Sequence, residues 1–153
     1  MPRTTKPRTS NRVSYRSGLE DSVAEQLKKM GVRAQYEPYP FLYKPQREFR
    51  RYTPDFLLPN GIVVETKGLF ASADRTKHRD LKAMYPDLDV RFVFSNPNQR
   101  LSKASRTTYG AWCDHYGFQY ATRLVPLVWV QEPQQEARLK AIDAARKGVP
   151  LSS

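Results

Sequence analysis

The chain has 153 residues, the size of one ordinary domain, and 39% of them are hydrophobic, enough for a small core. Its 26 Lys and Arg against 15 Asp and Glu give a net charge of +11, which points to a polyanionic partner: nucleic acid first, an anionic membrane surface second. No apolar run reaches membrane-spanning length, and the single cysteine excludes an intrachain disulfide or a cysteine-cluster zinc site; with no apolar signal region behind the basic start, a cytosolic protein is expected.

Residues 1–16 carry Arg3, Lys6, Arg8, Arg12 and Arg16 and no acid. They read as a disordered basic arm, either solubilising or, as favoured here, ordering along a phosphate backbone. Ser17-Gly18-Leu19-Glu20 opens a helix in capping-box form, with Leu19, Val23, Leu27 and Met30 as its apolar stripe and Gly31 behind its end. On these residues alone Glu20 is a capping residue before it is a catalytic one. Residues 32–43 alternate apolar and polar and include Pro38 and Pro40, which suggests one extended edge strand. Residues 44–51 form a basic connector: an exposed loop, a phosphate-contacting segment or a bridge between subunits.

Pro59-Asn60-Gly61 is a turn signal between two apolar runs, so residues 52–67 predict a β-hairpin. Folding back at that turn brings Asp55 near the level of Glu65, and strand alternation points Glu65 and Lys67 the same way, Thr66 opposite. A charge inside an apolar run is costly without a partner, and two converging carboxylates call for a cation. Carboxylate oxygens side by side suit Mg²⁺. An adjacent ammonium polarises a phosphate or a water. This is equipment for metal-assisted phosphodiester hydrolysis, although an isolated Glu-x-Lys on a strand is more often a solvated face.

Beyond the hairpin a helix is expected from Ser72 to Tyr85, with Leu81 and Met84 inward. Its charged face, with Arg75, Lys77 and His78, is a solvated face or a DNA-facing surface. Residues 89–95 predict a strand, 96–106 a polar loop, and Tyr109 to His115 a short helix ended by Gly117 and holding a buried Cys113. One or two short strands are expected in 118–130 and a helix with a frayed tail in 133–153. The order of elements is mixed α/β, a mixed sheet with helices on its faces.

Pro54-Asp55 followed by Glu65-Thr66-Lys67 resembles the PD-(D/E)xK signature of restriction-endonuclease-like nucleases. The segments 15–21, 52–62 and 64–69, with Asp74-Arg75, Val93-Phe94-Ser95 and residues 105–109, are similar to the phage endonuclease I family of Holliday-junction resolvases. That resemblance implies a restriction-endonuclease-like nuclease domain over 17–132 and an intertwined, domain-swapped homodimer, with 44–51 as the bridge. It implies Mg²⁺-dependent cleavage of four-way junctions and other branched DNA, Mn²⁺ being able to substitute, in the host cytoplasm if the chain is phage-encoded. It assigns metal binding to Asp55, Glu65, Thr66 through its carbonyl and Glu20, catalysis to Glu20, Asp55, Glu65 and Lys67, and it places Glu20 in the partner chain's site. DNA contacts are expected from Arg3, Lys6, Arg8, Arg12, Arg16, Arg75, Lys77 and His78. The alternatives are a sequence-specific restriction-like or transposase-type endonuclease, and a basic nucleic-acid-binding protein without catalysis.

Overall fold

The computed structural model describes residues 17–44 and 49–150. In chain order the elements are α1 (Gly18–Lys29), β1 (Gln35–Tyr36), β2 (Phe41–Tyr43), β3 (Arg50–Tyr52), β4 (Phe56–Leu57), β5 (Val63–Lys67), α2 (Ser72–Met84), β6 (Val90–Phe94), α3 (Tyr109–Tyr116), β7 (Tyr120–Thr122), α4 (Leu127–Gln131) and α5 (Glu136–Lys147). The basic arm, residues 45–48 of the connector and the last three residues lie outside the described residues.

Five strands form one mixed sheet in the order β1-β4-β5-β6-β7. The β1/β4 and β4/β5 pairs are antiparallel; β5/β6 and β6/β7 are parallel. Helix α2 supplies the crossover that a parallel β5/β6 pair requires. β6 is buried along its whole length and β5 as far as Thr66, as expected of central strands covered on both faces.

Side chains alternate across the sheet and split the core in two. On one face Val64 and Val93 meet Phe56, Val23 and Leu27 of α1, and Trp129 of α4. On the other, Val63, Val90, Phe92 and Phe94 meet Leu81, Tyr109, Trp112 and Ile142 of the helices, with Phe41 and Tyr52. Helix α1 begins as its sequence dictates: the Ser17 hydroxyl accepts from the Glu20 amide at 3.2 Å, and Gly31 takes a φ of 70° just past the end. A side-chain amide fastens it down, Gln26 Nε2 donating to the Val125 carbonyl and Oε1 accepting from the Val125 amide, both at 2.8 Å.

One expected element takes another form, and a stretch expected to hold one or two strands holds one strand and a short helix. The single strand foreseen over 32–43 is two short strands in two sheets: β1 edges the large sheet, whereas β2 pairs with β3 in a separate ribbon, Phe41 opposite Tyr52 and Tyr43 opposite Arg50. Pro38 and Pro40 offer no amide to a ladder, and Glu37 turns the chain with a φ of 41°. Between Phe118 and Val130 only β7 is a strand; Leu127–Gln131 is a short helix behind Pro126. Its apolar run has no periodicity to distinguish strand from helix.

Arg91, 1% exposed on β6, is boxed in by acids. Its Nε and Nη2 donate to the Asp89 carboxylate at 2.9 and 2.8 Å, and Nη1 donates to Glu132. Arg138 of α5 donates to the same two carboxylates, at 3.0 Å to Asp89 and 2.9 Å to Glu132. This four-residue cluster ties α5 and the end of α4 to the start of β6.

Candidate active site

The hairpin register sets the site. Phe56 pairs with Val64 and Leu57 with Val63, so Asp55, one residue before β4, lies level with Glu65. The turn is closed by hydrogen bonds from the Leu58 amide to the Ile62 carbonyl and from the Gly61 amide to the Leu58 carbonyl. Gly61 has a φ of 89°, a left-handed conformation that few L residues adopt.

Glu65 is 2% exposed. Its Oε1 accepts from the Asp55 amide at 3.0 Å and from the Tyr52 hydroxyl. The Asp55 carboxylate is held by Thr66, whose amide and hydroxyl both donate to Oδ2 at 2.9 Å. Lys67 Nζ lies 3.8 Å from Glu65 Oε2 and 3.5 Å from Asp74 Oδ1. Glu20, 7% exposed in the first turn of α1, accepts from the Tyr36 hydroxyl at 2.6 Å. It lies close enough for its charge to bear on Asp55. In this single chain the helix carrying Glu20 rests on the chain's own sheet.

The electrostatics are those of crowded anions. Burial, and then the Asp55 charge, push the Glu65 carboxyl up to about 8, against the opposing pull of Lys67 and of the Tyr52 and Asp55 hydrogen bonds. Burial also raises Asp55; Glu20 adds to the rise, and the Thr66 hydrogen bonds and Lys67 oppose it. Among the described residues no group of three or more His, Cys, Asp or Glu side chains is gathered tightly enough to hold a metal unaided.

The structure thus brings Asp55, Glu65, Thr66 and Lys67 together, with Glu20 beside them. Arg75 and Lys77 are half-buried on α2: Arg75 Nη1 donates to the Phe70 carbonyl at 2.6 Å, and Lys77 Nζ lies 3.5 Å from Asp74 and 4.9 Å from the Tyr52 ring centre. His78 corrects the expectation of a DNA contact. It is 0% exposed, wedged edge-on between Tyr52 and Phe92 at 5.0 and 4.8 Å, and among the described residues neither ring nitrogen has a hydrogen-bond partner. Burial holds it well below the usual histidine range, so it offers a phosphate neither access nor charge. Arg3, Lys6, Arg8, Arg12 and Arg16 lie outside the described residues. Cys113 is buried and its thiol pushed up to about 12, chiefly by burial, which suits a packing role.

Three residues at the site escaped sequence reasoning: Tyr52 on Glu65, Tyr36 on Glu20 and Asp74 on Lys67. Asp74 lies seven residues past the lysine, in the first turn of α2, where an acid also suits the helix dipole; that proximity and its place in a segment resembling the nuclease family were its signals. A cleft of about 510 Å³ opens beside the first turn of α1, lined by Gly18, Leu19, Ser22, Ser95, Arg123 and Leu124.

The family model described as Phage endonuclease I matches residues 1–149. The chain is 46% identical over 123 residues to Endonuclease I of Escherichia phage T7, covering 80% of this chain and 83% of that protein. It is likewise 46% identical over 123 residues to Endodeoxyribonuclease 1 of Enterobacteria phage T3, covering 80% and 81%.

Proposed function

The chain belongs to the phage endonuclease I family and is an endonuclease of DNA, and from that premise we propose that it resolves four-way junctions and cuts other branched DNA with Mg²⁺ as cofactor. The observation that carries the reading is the meeting of Asp55, Glu65 and Lys67 at the margin of one sheet.

The donors fit the ion. Asp55 and Glu65 offer hard carboxylate oxygens, and Mg²⁺ binds through one or two carboxylates while keeping several waters, so a preassembled cage of three acids is not required. Mn²⁺ accepts the same donors. The Thr66 carbonyl and Glu20 would complete the set. When bound, the ion supplies positive charge to the scissile phosphate and eases deprotonation of the attacking water. The protein's own groups do the rest. Thr66 fixes the Asp55 carboxylate, and Tyr52 with the Asp55 amide fixes that of Glu65. Lys67, suspended between Glu65 and Asp74, orients the nucleophile and stabilises charge developing on phosphate oxygen.

The mixed sheet with helices on both faces supports assignment to the restriction-endonuclease-like class. The active unit in this reading is a domain-swapped homodimer. Exchange of the chain up to the 44–51 segment re-forms the same α1–sheet contacts between two copies and delivers Glu20 to the partner's Asp55 and Glu65.

The direct test is cleavage of an immobile four-way junction beside a matched linear duplex in Mg²⁺. Selective cutting of the junction is expected. Equal cutting of the duplex would favour a restriction-like enzyme, and no cutting a binding protein. The shared site is tested by refolding Glu20→Ala and Lys67→Ala chains together. A swapped heterodimer carries one intact site and recovers single-strand nicking, whereas sites confined to single chains recover none.

A further inference from the structure

We propose that Tyr52 is a positioning residue for Glu65, its hydroxyl fixing which carboxylate oxygen is presented to a divalent cation. The proposal rests on the metal-dependent reading of the site. Tyr52 is 4% exposed, and its hydroxyl donates to Glu65 Oε1. The Asp55 amide donates to that same oxygen at 3.0 Å. Two donors from different directions occupy Oε1 and stop rotation of the carboxylate. Oε2 is left on the side of Lys67, 3.8 Å from its ammonium.

The ring is fixed with corresponding care. Phe41 meets it edge-on at 6.1 Å, and His78 meets it edge-on at 5.0 Å. The Lys77 ammonium stands 4.9 Å from its centre. The buried His78 ring thus helps to wedge the ring that aims the hydroxyl. An oriented acceptor binds a cation without first losing side-chain freedom, and loss of such an outer partner typically lowers metal affinity by roughly 10–100-fold.

The test is titration calorimetry of Mn²⁺ into DNA-free protein, for wild type, Glu65→Gln, Tyr52→Phe and a variant with 4-aminophenylalanine at position 52. The phenylalanine keeps the ring contacts and removes only the donor; the amine restores a donor. Tyr52→Phe is expected to bind Mn²⁺ roughly 10–100-fold more weakly, and the amine to recover most of the loss. The Mn²⁺ dependence of cleavage should shift by the same factor, with the saturated rate largely regained. Junction binding in EDTA should not change, which separates the effect from general damage. Wild-type affinity in Tyr52→Phe, with Glu65→Gln impaired, overturns the role of Tyr52 alone. No Mn²⁺ binding by wild type overturns the metal reading and this proposal together. Should Tyr52→Phe not fold, 4-fluorophenylalanine at position 52, which fills the space of the hydroxyl without donating, decides: a loss of roughly 10–100-fold upholds the role, and wild-type affinity overturns it.

Discussion

Replacing Glu65 by Gln should stabilise the metal-free protein, and by an amount that grows with pH. In the unfolded chain this carboxyl titrates near its ordinary 4.5; in the folded protein it is pushed up to about 8. Below 4.5 both states hold the proton and the group is neutral in its effect. Between 4.5 and about 8 only the folded state holds it, so stability falls as pH rises through that window, and above 8 the full penalty of a buried anion beside Asp55 stands. A rise from 4.5 to about 8, at about 1.4 kcal/mol per unit, sets that penalty on the order of 5 kcal/mol. Gln has no proton to lose, yet keeps an oxygen for the Tyr52 hydroxyl and the Asp55 amide. The measurement is urea unfolding of both proteins in EDTA at pH 5, 7 and 9. Any fixed cost of the amide beside Lys67 appears at every pH, so the quantity to follow is the change in the difference. Glu65→Gln should gain several kcal/mol on wild type between pH 5 and pH 9. A difference flat across that range would refute the picture of a buried carboxylate whose partners do not offset its burial and the Asp55 charge.

Asp55→Ala and Lys67→Ala should abolish junction cleavage while leaving gel-shift affinity in EDTA intact, because affinity comes from many dispersed cations. Asp74→Asn, which releases Lys67 from its second carboxylate, should slow single-turnover cleavage by up to roughly 100-fold, the scale of a small misplacement of a reacting group, without weakening binding. Arg91→Met, which leaves Asp89 and Glu132 with Arg138 as their guanidinium partner, should cost about 1–3 kcal/mol in urea unfolding, the scale of hydrogen bonds lost to charged groups. Junction affinity should fall steeply with salt, about −0.9 in the log–log slope per phosphate neutralised, and deleting residues 1–12, with Arg3, Lys6, Arg8 and Arg12, should flatten it.

The hairpin and its carboxylates were legible because turn chemistry and a period of two fix a register without tertiary information. Pro59-Asn60-Gly61 places the reversal, and Asp55 then arrives level with Glu65. The ends of α1 and the close of α3 were equally local, written in Ser17, Gly31 and Gly117. The split of 32–43 was not legible: prolines show where a ladder breaks, but not that the next strand finds a different sheet. Tyr52, Tyr36 and Asp74 were missed because their roles arise from contacts across elements. His78 left a usable trace. It precedes Leu81 by three residues and Tyr85 by seven, and all three are buried, so helical periodicity placed it inward while its polarity suggested outward. Arg91 ran the other way, a charge inside an apolar strand whose acid partners lie outside that strand.

The amide clasp between Gln26 and Val125 joins points 99 residues apart, and this separation orders the assembly of the molecule. The β4–β5 hairpin and the β5–α2–β6 unit need only short loop closures. The seat for α1 does not exist until β6, Val125 and Trp129 have come together. Helix α1 is therefore expected to dock late, when, in the proposed dimer, it would compete with its counterpart on the other chain. Its own tether gives it a fixed effective concentration, whereas the rival concentration rises with the amount of protein. In the proposed domain-swapped dimer, dilute refolding would accordingly favour the self-docked helix, and synthesis of many copies side by side would favour exchange, so that the history of a preparation would bear on which chain's α1 fills the seat.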